Sequence, residues 1–275
     1  MCSASSDPAK HPGGKANSMA PGADRLRDKT VLVTGASGGI GVEIVRRLAA
    51  EGAVVIATDA TAATTAACAE LLAGLTEPDR HLALRLDVSD EQDWRSATET
   101  VEARFGGLDA LVNNGAIGSI ATVVDEELDR FQRVVEVGQL GTWLGMKHAG
   151  ALVERSGGGS IVNMCSILGT VGGMGNSVAY AAAKGAVRTM TKNAALHWAR
   201  RGVRVNSIHP GFIGTAQLLE RYAGSERHAA MLAGTPMGRL GRAEEVAAAV
   251  AFLAGDDATY LTGAELYVDG GWTCA

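Results

Sequence analysis

The chain has 275 residues, of which 47% are apolar and 20% are charged, and its formal net charge is −5. This length suits one large domain with a substantial core, or two small domains. The net negative charge argues against nucleic acid or an acidic membrane as a partner, and no apolar run reaches the roughly 20 residues that span a bilayer.

The first 26 residues differ in composition from the rest of the chain. They are rich in Ser, Ala, Pro and Gly and contain no apolar core of a secretory signal. We therefore interpret residues 1–26 as a flexible leader of unknown role. The four cysteines and six histidines show no metal-binding spacing. This pattern predicts reduced thiols, no metal site and a cytoplasmic protein.

From residue 29 onwards, strand-like and helix-like segments alternate. Short apolar, β-branched runs predict strands at 29–35, 53–59, 81–88, 108–115, 159–166, 203–211 and 264–271. Helical spacing predicts helices at 40–52, 60–75, 90–105, 125–155, 178–201 and 243–254, and a helical lid at 212–235. No linker interrupts this alternation. It predicts a single α/β domain over 27–275: a Rossmann-type, doubly wound parallel sheet of about seven strands with helices on both faces.

Ligands bind to such folds at the carboxyl ends of the strands. There the first strand runs into "VTGASGGIGVEI", which opens the first helix. Glycines allow a tight turn and close approach to a phosphate, and the helix N-terminus offers N–H groups to a pyrophosphate. The turn predicts a dinucleotide site. Its candidate residues are Gly35, Ser37, Gly39, Ile40 and Gly41.

An acidic residue ends the second predicted strand. Asp59 can accept hydrogen bonds from both hydroxyls of the adenosine ribose and would repel the 2′-phosphate of NADP. Since neither Ser37 nor Gly38 supplies a compensating cation, we expect NAD. Asp87, followed by Val88, is a candidate to receive the adenine amino group. For both aspartates, a simple helix N-cap is the alternative.

The run "YAAAKG" places Tyr180 and Lys184 one helical turn apart, on one face. Taken alone, it also fits a solvent-facing pair. A free tyrosine has a pKa near 10, and a neighbouring ammonium, together with the positive nicotinamide of a bound cofactor, favours the phenolate. Lowering this pKa by three units corresponds to about 4 kcal/mol. Tyr180 would then be an acid/base, with Ser166, the last residue of the fifth predicted strand, holding the substrate oxygen.

Together the segments "TGASGGIG", "NNGA", Ser166, "YAAAK", "HPGFIGT" and "YVDGG" resemble a single-domain short-chain dehydrogenase/reductase. The resemblance covers about residue 27 to the C-terminus. It implies that Tyr180 is the acid/base, that Lys184 also holds the nicotinamide ribose and that Ser166 orients the substrate. It also implies a homotetramer. The further cofactor contacts it implies are Asn114, Gly115, Pro210, Gly211, Ile213 and Thr215.

Three features depart from the family pattern. Residues 113–116 read "NNGA" where the family more often has "NNAG", and the loop before Tyr180 is one residue longer. Gly138 stands where the family usually has an asparagine that helps to hold a water chain behind the lysine. We hypothesise that a water replaces the amide and that activity survives. Alternatively, this glycine serves helix packing, as Gly141 and Gly145 would.

The substrate pocket is expected after Ser166, before Tyr180 and in the lid. Its candidate residues are Leu168, Met174, Val178, Phe212, Leu218 and Tyr222, with Ile117 and Leu219 as further wall residues. These walls are mostly apolar and lack an arginine for a carboxylate or phosphate. We therefore predict a hydrophobic or aromatic secondary alcohol or ketone, steroid-like and terpene-like compounds included. His209 is interpreted as structural.

These features predict an NAD-dependent alcohol dehydrogenase or ketone reductase. Reduction of a 3-oxoacyl thioester is the first alternative, although it would be expected with NADPH, which Asp59 disfavours. A catalytically impaired NAD-binding regulatory protein is the second, because Gly138 departs from the family pattern. An intact set of Ser166, Tyr180 and Lys184 speaks against the second alternative.

Overall fold

The computed structural model describes residues 24–274, so residues 1–23 of the predicted leader lie outside the described part. The folded domain begins before the expected boundary at residue 27. Leu26 is fully buried. Arg25 forms ion pairs with Glu51 at 2.6 Å and with Asp257 at 3.1 Å. The last residues assigned to the leader therefore pack as part of the domain.

Seven parallel strands form one sheet in the order β3-β2-β1-β4-β5-β6-β7. The strand order reverses between β1 and β4, which opens a crevice at the carboxyl ends of these strands. The predicted doubly wound fold is confirmed. The strands are β1 Thr30–Thr34, β2 Val54–Asp59, β3 Leu82–Arg85, β4 Ala110–Asn113, β5 Gly159–Met164, β6 Val203–Pro210 and β7 Glu265–Val268.

Helices cover both faces of the sheet. They are α1 Gly39–Ala50, α2 Ala62–Ala73, α3 Glu91–Phe105, α4 Leu128–Val135, α5 Gly141–Gly145, α6 Ala151–Arg155, α7 Val178–Trp198, α8 Ala216–Tyr222, α9 Glu226–Ala233 and α10 Ala243–Ala254. Alternate residues of β1 enter two separate cores. Val31 and Val33 pack with α1 and α10, whereas Leu32 packs with α3 and α7 on the other face. This explains why β1 is apolar at successive positions.

The helix predicted at 125–155 is broken by two wider turns. Helices α4, α5 and α6 are joined by π-helical turns at Glu136–Leu140 and Met146–Gly150. Two glycines let this run approach Val88, in the loop after β3, and Asn113, at the end of β4. A Cβ added at Gly141 would lie 2.7 Å from Val88, and one at Gly145 would lie 2.2 Å from Asn113 Oδ1. Packing therefore requires glycine at both positions.

Within residues 24–274, no helix has the length and apolar character needed to cross a membrane. The same part of the chain holds no cluster of potential metal ligands. Cys68, Cys165 and Cys274 are free thiols, the first two buried. Burial raises the pKa of Cys68 to about 12, so this thiol stays protonated and unreactive.

Candidate active site

The glycine turn between β1 and α1 is packed backbone against backbone. Gly35 and Gly39 have φ angles of +61° and +51°. A Cβ at Gly41 would lie 2.1 Å from the Gly35 carbonyl oxygen. The N-cap Gly38 offers no side-chain cap, the first turn of α1 contains no acid, and the space beside Gly38 is open. The positive end of α1 therefore faces free space, as a phosphate site requires. Ile40 packs below, on the core.

Asp59, at the end of β2, holds this turn. Its carboxylate accepts hydrogen bonds from the N–H and hydroxyl of Ser37 at 3.1 and 2.7 Å, and from the N–H of Ala60 at 2.8 Å. The N-cap interpretation of Asp59 is wrong, because Thr61 caps α2 by accepting from the N–H of Thr64. Asp59 is thus an acid at the rim of the glycine turn, where the resemblance places the adenosine ribose.

The loop after β4 is tied to the same turn. The side-chain amide of Asn114 donates to the carbonyl oxygens of Thr34 and Gly35, both at 3.0 Å. The Thr34 hydroxyl accepts from the backbone N–H groups of Asn114 and Gly115 at 3.0 and 2.9 Å. A Cβ at Gly35 would lie 2.8 Å from the Gly115 Cα. The "NNGA" loop therefore positions the glycine turn directly.

Asp87 and Val88 lie beyond the end of β3. Asp87 accepts from the N–H and hydroxyl of Ser89 at 3.0 and 2.6 Å and from Arg133 at 3.4 Å. Although burial opposes it, these donors lower the pKa of Asp87. The N-cap interpretation of Asp87 is also wrong, because Asp90 caps α3. The Val88 side chain is buried in the core, so any cofactor contact there comes from its backbone.

The loop after β6 crosses in front of the glycine turn. Gly211 packs so closely on β7 that a Cβ would lie 2.8 Å from the Asp269 Cα. Ile213 is buried in the core. Thr215 Cγ2 lies 3.5 Å from the position of a Cβ on Gly39. Loop 210–215 therefore faces the same open space as the start of α1.

Ser166, Tyr180 and Lys184 meet at the carboxyl end of β5. Lys184 is only 2% exposed, so the solvent-facing interpretation of "YAAAKG" is wrong. Its ammonium donates to the carbonyl oxygen of Met164 at 2.6 Å and lies 5.5 Å from the centroid of the Tyr180 ring. The Ser166 hydroxyl accepts a hydrogen bond from the Leu168 N–H at 3.2 Å, and it lies close enough to Tyr180 to influence the pKa of the phenol.

The pKa of the reactive tyrosine differs from the sequence-based expectation. Burial raises the pKa of Tyr180 to about 12, which the nearby Ser166 hydroxyl only partly opposes. Burial lowers the pKa of Lys184 to about 8. In the protein alone, Lys184 does not lower the pKa of Tyr180 below its ordinary value, because the ammonium faces Met164 and the ring of Tyr180. The phenol is a neutral proton donor in this state. The lowering expected from Lys184 together with a bound nicotinamide stays a prediction.

His209 supports Ser166 from below. It is fully buried, and its two ring nitrogens lie 3.2 Å from the Ser166 carbonyl oxygen and 2.9 Å from the Ser207 hydroxyl. Burial lowers the pKa of His209. A neutral ring that donates to Ser166 and accepts from Ser207 satisfies both nitrogens. This arrangement agrees with a structural role.

Gly138 lies in the first π-helical turn, against α7. Its carbonyl oxygen accepts a hydrogen bond from the Thr142 hydroxyl at 2.8 Å. A Cβ at this position would lie 3.4 Å from the Cβ of Ala183, a milder approach than those at Gly141 and Gly145. The contact shows that Gly138 contributes to packing beside the residue that precedes Lys184. That activity survives without the asparagine stays a prediction.

A cavity of ≈ 210 Å³ adjoins the reactive residues. Leu168, Met174, Val178 and Phe212 contribute to its walls, together with Ser177 and Ala181, which are close to Tyr180 in the chain. Other pocket candidates lie elsewhere. Leu218 and Tyr222 are outside the lining, Ile117 packs against the same small apolar cluster as Tyr180, and Leu219 is 38% exposed on α8.

The expectation of a pocket without arginine is wrong. Arg227, in the first turn of α9, lines the cavity together with Asn176. Its guanidinium donates to the Asn176 side-chain oxygen at 2.9 Å. Sequence reasoning missed Arg227 because it is far from Tyr180 in the chain and lies in a lid rich in charged residues. Folding of the lid as two helices, rather than any local motif, brings it to the cavity.

The chain is similar to known oxidoreductases over most of its length. A family model described as Enoyl-(Acyl carrier protein) reductase matches residues 35–273. Trans-4-hydroxycyclohexanecarboxylate dehydrogenase of Sinomonas cyclohexanicum is 38% identical, over 91% of this chain and 95% of that protein. The cis-4-hydroxycyclohexanecarboxylate dehydrogenase of the same organism is 41% identical, over 91% of this chain and 98% of that protein.

Two further proteins are also similar over nearly their full length. Cyclopentanol dehydrogenase of Comamonas testosteroni is 38% identical, over 90% of this chain and 98% of that protein. The crystal structure of gox2181 superposes with a TM-score of 0.86 at 31% identity, covering 92% of this chain and 99% of that one.

Proposed function

This chain belongs to the short-chain dehydrogenase/reductase family, and we propose that it is an NAD-dependent oxidoreductase that interconverts a cyclic secondary alcohol and the corresponding ketone. One observation carries the proposal. Ser166, Tyr180 and a buried Lys184 meet at the carboxyl end of β5, beside a small cavity. The similar proteins named as dehydrogenases of cyclic alcohols support the substrate class.

The residues around the crevice fit a dinucleotide. The uncapped start of α1 suits a pyrophosphate, and Asp59 stands at the rim for ribose hydroxyls. The "NNGA" loop and loop 210–215 would hold the remainder, with Lys184 at the nicotinamide ribose. When bound, NAD supplies the hydride acceptor and, in its oxidised form, a positive charge that favours a phenolate.

The protein's own residues move the proton. In ketone reduction, the Tyr180 hydroxyl donates its proton to the substrate oxygen, which Ser166 orients by a hydrogen bond. In alcohol oxidation, the Tyr180 oxygen accepts the proton from the substrate hydroxyl. The pKa of about 12 keeps the phenol protonated in the protein alone, which suits the reductive direction. Oxidation requires a lower pKa, and hence the charge of the bound, oxidised cofactor.

The proposal is tested with purified protein, NAD and a panel of alcohols. We expect NADH to form from cyclopentanol, cyclohexanol or the two isomers of 4-hydroxycyclohexanecarboxylate. Oxidation of NADPH by a 3-oxoacyl thioester, without turnover of the panel, would instead support the thioester reductase. Tight NAD binding without turnover of any compound would support a regulatory protein.

Asp59 is expected to set the cofactor preference. The native protein should use NAD with a kcat/KM roughly 10- to 100-fold above that for NADP, because the carboxylate repels a 2′-phosphate. Asp59→Asn should reduce this ratio by about tenfold or more, as measured by initial rates with each cofactor. Asp90→Asn, at the N-cap of α3, is the matched control and should keep the ratio. Equal rates of the native protein with NAD and NADP would refute the assignment.

We also propose a cytoplasmic homotetramer. Besides the family resemblance, the surface around α4 and α5 exposes several large apolar side chains, as an interface between subunits would require. They are Val124, Leu128 and Trp143. Sedimentation equilibrium should give four times the chain mass, and a monomer at micromolar concentration would contradict the proposal.

A further inference from the structure

One cation of the lid lies in the wall of the substrate cavity. Arg227 lines this cavity together with residues that adjoin Ser166 and Tyr180 in the chain, such as Leu168 and Ala181. Its guanidinium is held in place from two sides. It donates to Asn176 at 2.9 Å, and its central carbon lies 5.4 Å from the centroid of the Tyr222 ring. Arg227 is therefore a positioned cation rather than a freely moving side chain.

This guanidinium has unused hydrogen-bonding capacity. Its Nε is buried and has no hydrogen-bond partner. Within residues 24–274, no carboxylate forms an ion pair with Arg227, although many other arginines of this part of the chain are paired. A partly desolvated cation without a counter-ion is unfavourable. A guanidinium offers five donors in a planar fork that matches a carboxylate, so an anionic ligand would satisfy it.

The cavity also limits the size of the ligand. Its ≈ 210 Å³ is below the roughly 300–1,000 Å³ of pockets for drug-sized ligands. This favours a single ring over the fused rings of a steroid. Met174, Val178 and Phe212 contribute apolar side chains to the lining of the same cavity. The lining therefore combines apolar side chains, which suit a ring, with one cation.

We propose that the substrate is a single-ring secondary alcohol that carries a carboxylate, and that Arg227 binds this carboxylate. The inference rests on the proposed function and names the substrate class of the same site. Arg227 contacts the substrate at a distance from the reacting carbon, so it acts on binding and orientation. Its removal should raise KM more than it lowers kcat.

The test compares an acid with its neutral analogue. Oxidation of 4-hydroxycyclohexanecarboxylate and of its carboxamide is measured with NAD for the native protein and for Arg227→Met. We expect Arg227→Met to lose roughly 10- to 100-fold in kcat/KM for the acid, with only a small change for the amide. Arg227→Lys should restore part of the loss, since it keeps the charge without the planar fork.

Arg221→Met is the matched control. Arg221 also lies 5.4 Å from the centroid of the Tyr222 ring, but it is outside the cavity lining. Its replacement removes the same charge from the lid and should leave the ratio of acid to amide unchanged. An equal loss of kcat/KM for acid and amide in Arg227→Met would show a purely structural role and would overturn the inference. No loss for either compound would overturn it as well.

A binding measurement separates this inference from the proposed function. Cyclohexanecarboxylate lacks the hydroxyl and cannot be oxidised at that position. In the presence of NAD, it should raise the melting temperature of the native protein but not of Arg227→Met. If no alcohol is turned over while this difference persists, the proposed function fails and the carboxylate site stands. If alcohols are oxidised but the acid neither binds nor reacts better than the amide, the carboxylate site fails and the function stands.

Discussion

Replacing Tyr180 by phenylalanine is expected to lower kcat/KM for a cyclic alcohol by roughly 10²- to 10⁴-fold, the usual contribution of a positioned acid or base. The variant removes the hydroxyl that exchanges a proton with the substrate and keeps the aromatic ring. Tyr180 packs against a small apolar cluster of Val134, Ala179 and Ala183, so the fold and cofactor affinity should be retained. Initial rates, NAD binding and the melting temperature together check this expectation.

Tyr260→Phe is the matched control for this variant. The Tyr260 side chain is fully exposed, so loss of its hydroxyl should leave the rate unchanged. A Tyr180→Phe protein that folds, binds NAD and turns over within a few-fold of the native rate would remove Tyr180 from the mechanism. Ser166 and Lys184 would then need a different proton acceptor.

Lys184→Met is expected to lower turnover by about 100-fold or more without destabilising the fold. The activity falls because the variant removes the proposed contact to the nicotinamide ribose and, when the cofactor is bound, one of the two positive charges that favour the Tyr180 phenolate. The free energy of unfolding should not fall with the activity, because the buried lysine is itself unfavourable. Burial lowers the pKa of Lys184 from 10.5 to about 8. At neutral pH, this shift corresponds to a cost of roughly 3 kcal/mol for keeping the buried group protonated.

Lys184→Met removes this cost and so gains stability. Loss of the hydrogen bond to the Met164 carbonyl oxygen offsets about 1–2 kcal/mol of the gain. The free energy of unfolding of Lys184→Met at pH 7 should therefore equal that of the native protein or exceed it by up to roughly 2 kcal/mol. Urea unfolding followed by circular dichroism measures the difference. A loss of more than about 2 kcal/mol would show that the native protein gains stability from this lysine.

The pH dependence supplies a second check on Lys184. Its pKa is lower in the folded state, at about 8, than in the unfolded state. Between about pH 8 and pH 10.5, the unfolded chain therefore binds more protons, and the free energy of unfolding should rise with pH. The cost is fully present below pH 8. Lys184→Met should lack this rise, whereas Lys192→Met, an exposed lysine on the same helix, should keep it.

Much of the fold follows from sequence patterns, because each pattern reflects a local physical requirement. The continuous apolar runs of β1 and β2 are needed where a strand is buried on both faces. The features that the sequence patterns did not predict are determined by tertiary contacts. Close packing of Gly141 and Gly145 against the sheet accompanies π-helical turns that helical spacing does not reveal. The third strand ends at Arg85, and Leu86 leaves the strand but remains in the core.

In the candidate site too, some features follow from the sequence and others depend on tertiary contacts. The spacing of Tyr180 and Lys184 fixes a common helix face, and the structure brings both to Ser166. The directions of the pKa shifts of Tyr180 and Lys184 depend on burial. The residues of one helical turn do not reveal how deeply that turn is buried. The clamp between Asp59 and Ser37 needs two strand ends to meet. Arg227 reaches the cavity only through the path of the lid.

The most direct test is a single-turnover experiment in a weakly buffered solution with a pH indicator. Native protein saturated with NAD is mixed with a cyclic secondary alcohol, and NADH absorbance and proton release are followed together. We predict equal amounts of NADH and released protons from the native protein, and a far slower appearance of both from Tyr180→Phe. An undiminished NADH signal from Tyr180→Phe, or none from the native protein with any panel alcohol, would contradict the account.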